Sequence, residues 1–309
     1  MDELDKRTNG AVTMEVHWNS SLAVMPEMLE TVQKGVADLG QLVPPFFGTV
    51  FPLHGMLDGM YVWNDKPLAR MKANEALDKE VPEAAAEWAN AGLVRLFSYS
   101  LGNYHVSCLK PVRSLADFKG LKLRATGPLN PVIVKSVGAT PVGITSAEMY
   151  DALTKKTVDG GVTDADMMIR FKEYEVAKYL IRLNIGANPM LTVAMNMEAW
   201  NKLSPEVQQV FLELRDEYPV VYADMFSKRM KEVTFVTLKD AGVEVIDLPP
   251  ADMTTLQNNP DILAVEAGWV DWILEKKPEL SRERAEEIRQ LYLTRSEEFM
   301  KLYPDTLEP

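Results

Sequence analysis

The run Ser114-Leu-Ala-Asp-Phe-Lys-Gly-Leu-Lys-Leu-Arg124, followed by Thr126-Gly127-Pro128, makes the first decision about this chain. Leu121, Leu123 and Ala125 alternate with Lys122 and Arg124, the two-residue period of a strand with one apolar face. Thr126-Gly127-Pro128 stops that strand, and a short helix is predicted up to Val137, closed by Gly138. Arg124 thus falls at the carboxyl end of a strand beside a helix start, the edge where open α/β sheets bind ligands. A guanidinium there can hold a carboxylate through two parallel hydrogen bonds. The plainer roles are a surface arginine or an internal ion pair, and spacing alone favours those.

Outward from this stretch, strands and helices keep alternating. Downstream, Thr145 and Glu148 form a capping-box pattern ahead of a helix that buries Met149, Ala152 and Leu153. A strand is predicted over Val158–Thr163, a helix over Ala165–Tyr179, and another strand at Leu191, Val193 and Met195. Ser204-Pro205 is a helix start. Its pattern runs to about Leu238, a helix of roughly 50 Å with a kink expected at Pro219. Gly242–Leu248 is a last strand before helices fill the remainder. Upstream, Val12, Met14, Val16 and Trp18 alternate, predicting a strand over Ala11–Trp18. Pro26 opens a helix ended by Gly35, and Val36–Val43 is a short buried strand. Helices follow over Pro67–Leu77 and Pro82–Ala91, then strands over Leu93–Tyr99 and Tyr104–Leu109. Crossings near Leu101-Gly102-Asn103 and Asn188-Pro189 divide this α/β chain into two lobes around a cleft. The expected division is residues 1–101 with about 189–228, and 102–188 with about 229–309.

The 309 residues suffice for two domains. A net charge of −12 from 33 basic and 45 acidic groups argues against nucleic acid or an anionic membrane as partner. The single cysteine, Cys108, excludes an internal disulfide and a four-thiolate zinc site. His105 and Cys108 are three apart in a strand, on opposite sides, so they form no nucleophile–base pair. No Gly-x-Ser-x-Gly, P-loop or dinucleotide fingerprint occurs, and no cofactor is implied. The 17 methionines suit core filling or an adaptable apolar pocket.

From Leu115 to Gln209 the chain resembles the solute-binding proteins of tripartite ATP-independent periplasmic (TRAP) transporters, the DctP family. The matching pieces are Asp117-Phe-Lys-Gly-Leu-Lys-Leu-Arg124, Gly138-Ala-Thr-Pro-Val142, Glu148-Met-Tyr-Asp-Ala-Leu153, Val158-Asp-Gly160, Glu175-Val-Ala-Lys-Tyr179 and Met195-Asn-Met-Glu-Ala-Trp200 with Leu203-Ser-Pro-Glu206. Each is weak alone; their order and spacing are specific. The resemblance implies a two-lobed, type II-like periplasmic-binding-protein fold with mixed sheets and a long kinked helix bridging the lobes. It implies that Arg124 pairs with a ligand carboxylate. It also implies a periplasmic location, and delivery of a small organic acid to small and large transmembrane subunits. Met1-Asp-Glu-Leu-Asp5 has no signal-peptide character. Related chains carry a strand and most of a helix before the segment matching Thr8-Asn9-Gly10, so a truncated or mis-started secreted protein is expected.

Further candidate ligand contacts follow, each with a plainer role beside it. Phe46 and Phe47, in a Pro-Pro loop, can wall the cleft or pack a core, and so can Trp63. Tyr104 stands where the sialic-acid-binding member has a second arginine; its hydroxyl can still donate to an anion. Thr163 matches a ligand-contacting asparagine of that member. Asp164 can hold a ligand hydroxyl or cap the next helix, the cap being favoured. Asn188 can reach the cleft or start a turn. Val162 stands near where metal-using members carry glutamate, and valine cannot ligate a hard cation, so no metal is expected. A sensor lobe, or less readily an enzyme, is the alternative use of the cleft.

Overall fold

The computed structural model describes residues 2–18, 21–60, 63, 65–186, 190–305 and 308–309. The first lobe begins with α1 (Asp2–Arg7), α2 (Met28–Gln33), β1 (Leu39–Leu42), α3 (Pro52–Met56), α4 (Pro67–Glu80), α5 (Pro82–Asn90) and β2 (Leu93–Ser100). Pro at the first turn of α3, α4 and α5 sets their starts, because its missing N–H has no intrahelical partner there anyway. The second lobe takes β3 (His105–Cys108), β4 (Lys122–Arg124), α6 (Asn130–Ser136), β5 (Thr140–Val142), α7 (Met149–Thr154), β6 (Gly160–Thr163), α8 (Ala165–Arg170) and β7 (Tyr179–Arg182). The chain then returns through β8 (Met190–Asn196), α9 (Met197–Lys202) and α10 (Pro205–Arg229). A π turn at Met230–Thr234 and α11 (Phe235–Asp240) lead to β9 (Glu244–Asp247), followed by α12 (Pro250–Gln257), α13 (Pro260–Ala267), α14 (Trp269–Lys276) and α15 (Arg282–Leu302).

Two sheets result. The first is antiparallel in the order β1-β8-β2, and the second is mixed in the order β5-β4-β6-β3-β7-β9. In the second, β4 runs parallel to β5 and β6, β3 runs antiparallel to β6 and β7, and β9 is parallel to β7. Its faces divide by strand parity. Val106, Cys108, Leu123, Val162 and Ile181 pack with α6 and α13 residues such as Ile133 and Ile262. Leu180 packs on the other face with Met149, Met168 and Leu238. The long helix takes its predicted start, with Ser204 Oγ accepting from Val207 N and Pro219 buried inside. Residues 205–240 are helical throughout, with Pro219 lacking a backbone N–H to donate and a π turn at Met230–Thr234.

Three expectations need correction. Ala11–Trp18 forms no strand: no described strand pairs with it, and Trp18 is 70% exposed. Alternation supplies a face, but a strand also needs a neighbour's hydrogen bonds. The helix expected over Ala165–Tyr179 ends at Arg170, and Tyr179–Arg182 is strand β7. Lys172, at φ 57°, breaks the helix in the left-handed region. Residues 269–302 do not join the second lobe. Trp269, Ile273, Ile288 and Tyr292 share a core with Leu53 and Leu77 of α3 and α4.

Candidate functional site

Arg124 is the last residue of β4, and its side chain is only 6% exposed. Leu123 points into the α6 face, so Arg124 points to the opposite one. It is built in from three directions. Nη1 donates to Val162 O at 2.7 Å, Nη2 to Ser146 Oγ at 2.9 Å and Nε to Ile144 O at 3.3 Å. These partners are neutral, and among the described residues no carboxylate lies within ion-pair range of the guanidinium. A guanidinium has five N–H donors, so each Nη keeps a second one. The arrangement fixes the plane of a cation and leaves its charge uncompensated by a direct partner.

Beneath it lies a group that the sequence reading missed. Glu173, 1% exposed, accepts from Ser107 Oγ at 2.7 Å and Thr163 Oγ1 at 3.2 Å. Burial pushes its carboxyl up to about 7, while the Ser107 bond, the Arg124 charge and the Thr163 bond pull the other way. Thr163 therefore spends its hydroxyl on Glu173 and on Asp164 O. Asp164 caps α8, with Oδ1 accepting from Met167 N at 2.9 Å, as its position before the helix suggests. Its Oδ2 is buried and has no partner. Burial raises this carboxyl to about 6, against the pull of the cap bond and Arg170, with Asp166 and Glu308 adding to the rise.

The other candidates separate. Tyr104 is buried, its hydroxyl 3.6 Å from Met167 Sδ. Trp63 packs on the same core cluster as Tyr104 and Met167, and its Nε1 is buried without a partner. Phe47 packs against the first lobe's core around Leu42, Phe51 and Trp88, and Phe46 is 59% exposed. No described contact brings either phenylalanine to Arg124. Asn188 lies outside the described residues. Cys108 is buried, and burial followed by the Asp159 charge pushes its thiol up to about 12, so it is no nucleophile. Among the described residues no cluster of three or more His, Cys, Asp or Glu could hold a metal. A hollow of about 210 Å³ lies elsewhere, lined by Asp78, Trp88, Arg95 and Arg215. Its arginines are already paired, Arg95 with Asp78 and Arg215 with Asp216, so Arg124 is the better centre for an anion.

A guanidinium with spare donors, an unpartnered carboxylate oxygen and an unpartnered indole N–H, set in two lobes joined by a long helix, define a class: proteins that bind a small polar molecule. The family model of DctP, "Bacterial extracellular solute-binding protein, family 7", matches residues 1–263, and the chain belongs to that family. Over 248 residues it is 28% identical to the 2,3-diketo-L-gulonate-binding periplasmic protein YiaO of Escherichia coli K12, covering 79% of this chain and 74% of that one. Over 244 residues it is 29% identical to the C4-dicarboxylate-binding periplasmic protein DctP of Rhodobacter capsulatus, covering 77% and 71%. A solved TRAP periplasmic solute binding protein from Desulfovibrio salexigens superposes with a TM-score of 0.78 at 26% identity, covering 98% of this chain and 89% of that one. The two-lobed α/β fold with its long helix is the fold of these proteins. No helix among the described residues is long and apolar enough to cross a membrane.

Proposed function

We propose that this protein captures a small organic acid outside the cytoplasm and hands it to the membrane subunits of a TRAP transporter, with Arg124 holding the ligand's carboxylate. The observation that carries this reading is the buried Arg124 guanidinium, oriented by Val162 O, Ser146 and Ile144 O, with two N–H donors unspent and no ion-pair partner among the described residues. Burying a charge unpaired is costly, and an arriving carboxylate supplies both counter-charge and acceptors. The two named relatives bind a keto sugar acid and C4 dicarboxylates, which supports an acid as the ligand class. In this reading the ligand lies between residues 1–100, with 190–228 and 269–302, and residues 103–186, with 235–267. Asp164 Oδ2, buried and unpartnered, accepts a hydroxyl or N–H of the ligand. The site binds without chemistry.

Pyroglutamate, mandelate and benzoate, the acids held by solved proteins of this fold, are the first probes, with keto acids and C4 acids beside them. Calorimetric titration is expected to find a binder. Arg124→Ala is then expected to weaken it roughly ten- to hundredfold, the worth of a charge-assisted hydrogen bond of about 1.5–3 kcal/mol. Undiminished binding by this variant refutes the assignment.

A further inference from the structure

We propose that Glu173 couples ligand capture to proton uptake: a carboxylate that arrives at Arg124 draws a proton from solvent onto the Glu173 side chain. The inference rests on the organic-acid reading of the site and adds a linked equilibrium to it. Its basis is a hydrogen-bond arrangement that suits both protonation states without moving a heavy atom. The Thr163 hydroxyl has one proton and two acceptors in reach, Glu173 Oε1 at 3.2 Å and Asp164 O at 3.3 Å. With Glu173 ionised, Thr163 donates to it. With Glu173 protonated, Oε1–H donates to Thr163 Oγ1, which donates onward to Asp164 O. Ser107 Oγ lies between Glu173 Oε2 at 2.7 Å and Gly161 O at 3.5 Å, and has the same freedom. An ion-paired acid has no such choice, but these partners are neutral hydroxyls.

The charges around Glu173 say when the proton arrives. Arg124 on β4 is the cation that holds its carboxyl down, and Asp164 at the β6–α8 junction pushes it up. Behind Asp164 stand Arg170 and Asp166 on α8, and Glu308. From α7, Met149 contributes only apolar packing, and Tyr150 bonds Glu175 instead. On β3, the His105 ring is tied to Glu308. A ligand carboxylate at Arg124 takes up the guanidinium's field and brings a like charge close to Glu173. A second negative charge brought near a carboxylate in a dry site raises the pKa of that carboxylate. Burial already lifts the Glu173 carboxyl to about 7, which puts the linkage in the neutral range.

The test is calorimetry from pH 6 to pH 9 with pyroglutamate, mandelate and benzoate, which stay ionised throughout, in buffers of differing ionisation enthalpy. Wild type is expected to take up protons on binding. Its association constant should fall several-fold per pH unit above about 7, with tenfold the limit for one proton. Glu173→Gln is expected to lose both the uptake and the slope, and Asp164→Asn to keep the slope. A flat wild-type profile overturns the proposal, as does uptake that persists in Glu173→Gln. If that variant does not fold, the buffer dependence of wild type decides. If neither these three acids nor the keto acids and C4 acids bind at any pH, the organic-acid reading fails separately. Infrared difference spectra with formate, the bare carboxylate, then test the coupling: a rising protonated-carboxyl band supports it, and no change overturns it.

Discussion

Gly160 and Gly161 show how little room surrounds the Arg124 strand. A Cβ on Gly160 would stand 2.2 Å from Ser107 O, a backbone atom held in the β3–β6 ladder. A Cβ on Gly161 would meet Met149 Cε at 2.4 Å and Arg124 Cβ at 2.9 Å. The methionine tip can swing aside, but β4 cannot. Gly160→Ala is therefore expected to destabilise by roughly 1–3 kcal/mol or more in denaturant titration. Gly161→Ala should cost less stability while weakening acid binding, because it presses on the arginine itself. Equal losses from the two would contradict this geometry. Both glycines were legible as part of a strand; the reason for them was not, since it lies on β3 and α7. Glu173 was wholly illegible. In a chain with 45 acidic residues one glutamate carries no signal, and the helix expected through it hid the left-handed turn at Lys172 that directs it inward.

At the scale of elements, α3, α4, α5 and β2 are joined through His54. Its Nε2 lies 2.9 Å from Asp78 and its Nδ1 2.8 Å from Glu87, whose carboxylate also accepts from Leu53 N; Asp78 pairs in turn with Arg95. Burial alone would lower the imidazole, but the Asp78 charge and the Asp78 and Glu87 hydrogen bonds outweigh it and lift it to about 9. As an imidazolium it donates from both nitrogens. Trp88 Nε1, 3.1 Å from Nε2, then finds no lone pair there, and the contact is an edge-on ring packing with centroids 5.1 Å apart. A folded value above the ordinary 6.5 means stability that is complete below pH 6.5 and lost as pH rises through about 9. The loss is expected to reach up to roughly 3 kcal/mol, seen as a falling thermal midpoint over that range. His54→Gln should flatten the fall, and an unchanged slope would remove His54 as its cause.

For the whole molecule, Asp164 and Glu173 act in the same direction as His54. Their raised carboxyls favour the native state at low pH and subtract from it as pH climbs through about 6 and about 7. Opposing them, Asp78, Glu83, Asp117 and Glu148 are held below the ordinary carboxylate values by their partners, and their contributions vanish in acid. Thermal stability is therefore expected to peak on the acid side of neutrality; a maximum at pH 8 or above would contradict these assignments. In the proposed reading Arg124, at 6% exposure, is reached when the lobes part. Small-angle scattering should accordingly show a free protein that contracts when an acid binds, and saturating ligand at a hundred times Kd should add about 2.7 kcal/mol of stability. The sequence by itself determined the strand that ends in Arg124, the capped starts of the helices, the long helix from Pro205 and the family, because these depend on periodicity and on residues close together in the chain. Only the tertiary structure decided that Ala11–Trp18 has no ladder to join, that α14 and α15 pack on α3 and α4, and that Glu173 sits under the guanidinium. Each of those depends on which distant segment supplies the missing hydrogen bond, the apolar surface or the charge, and that choice is made in space.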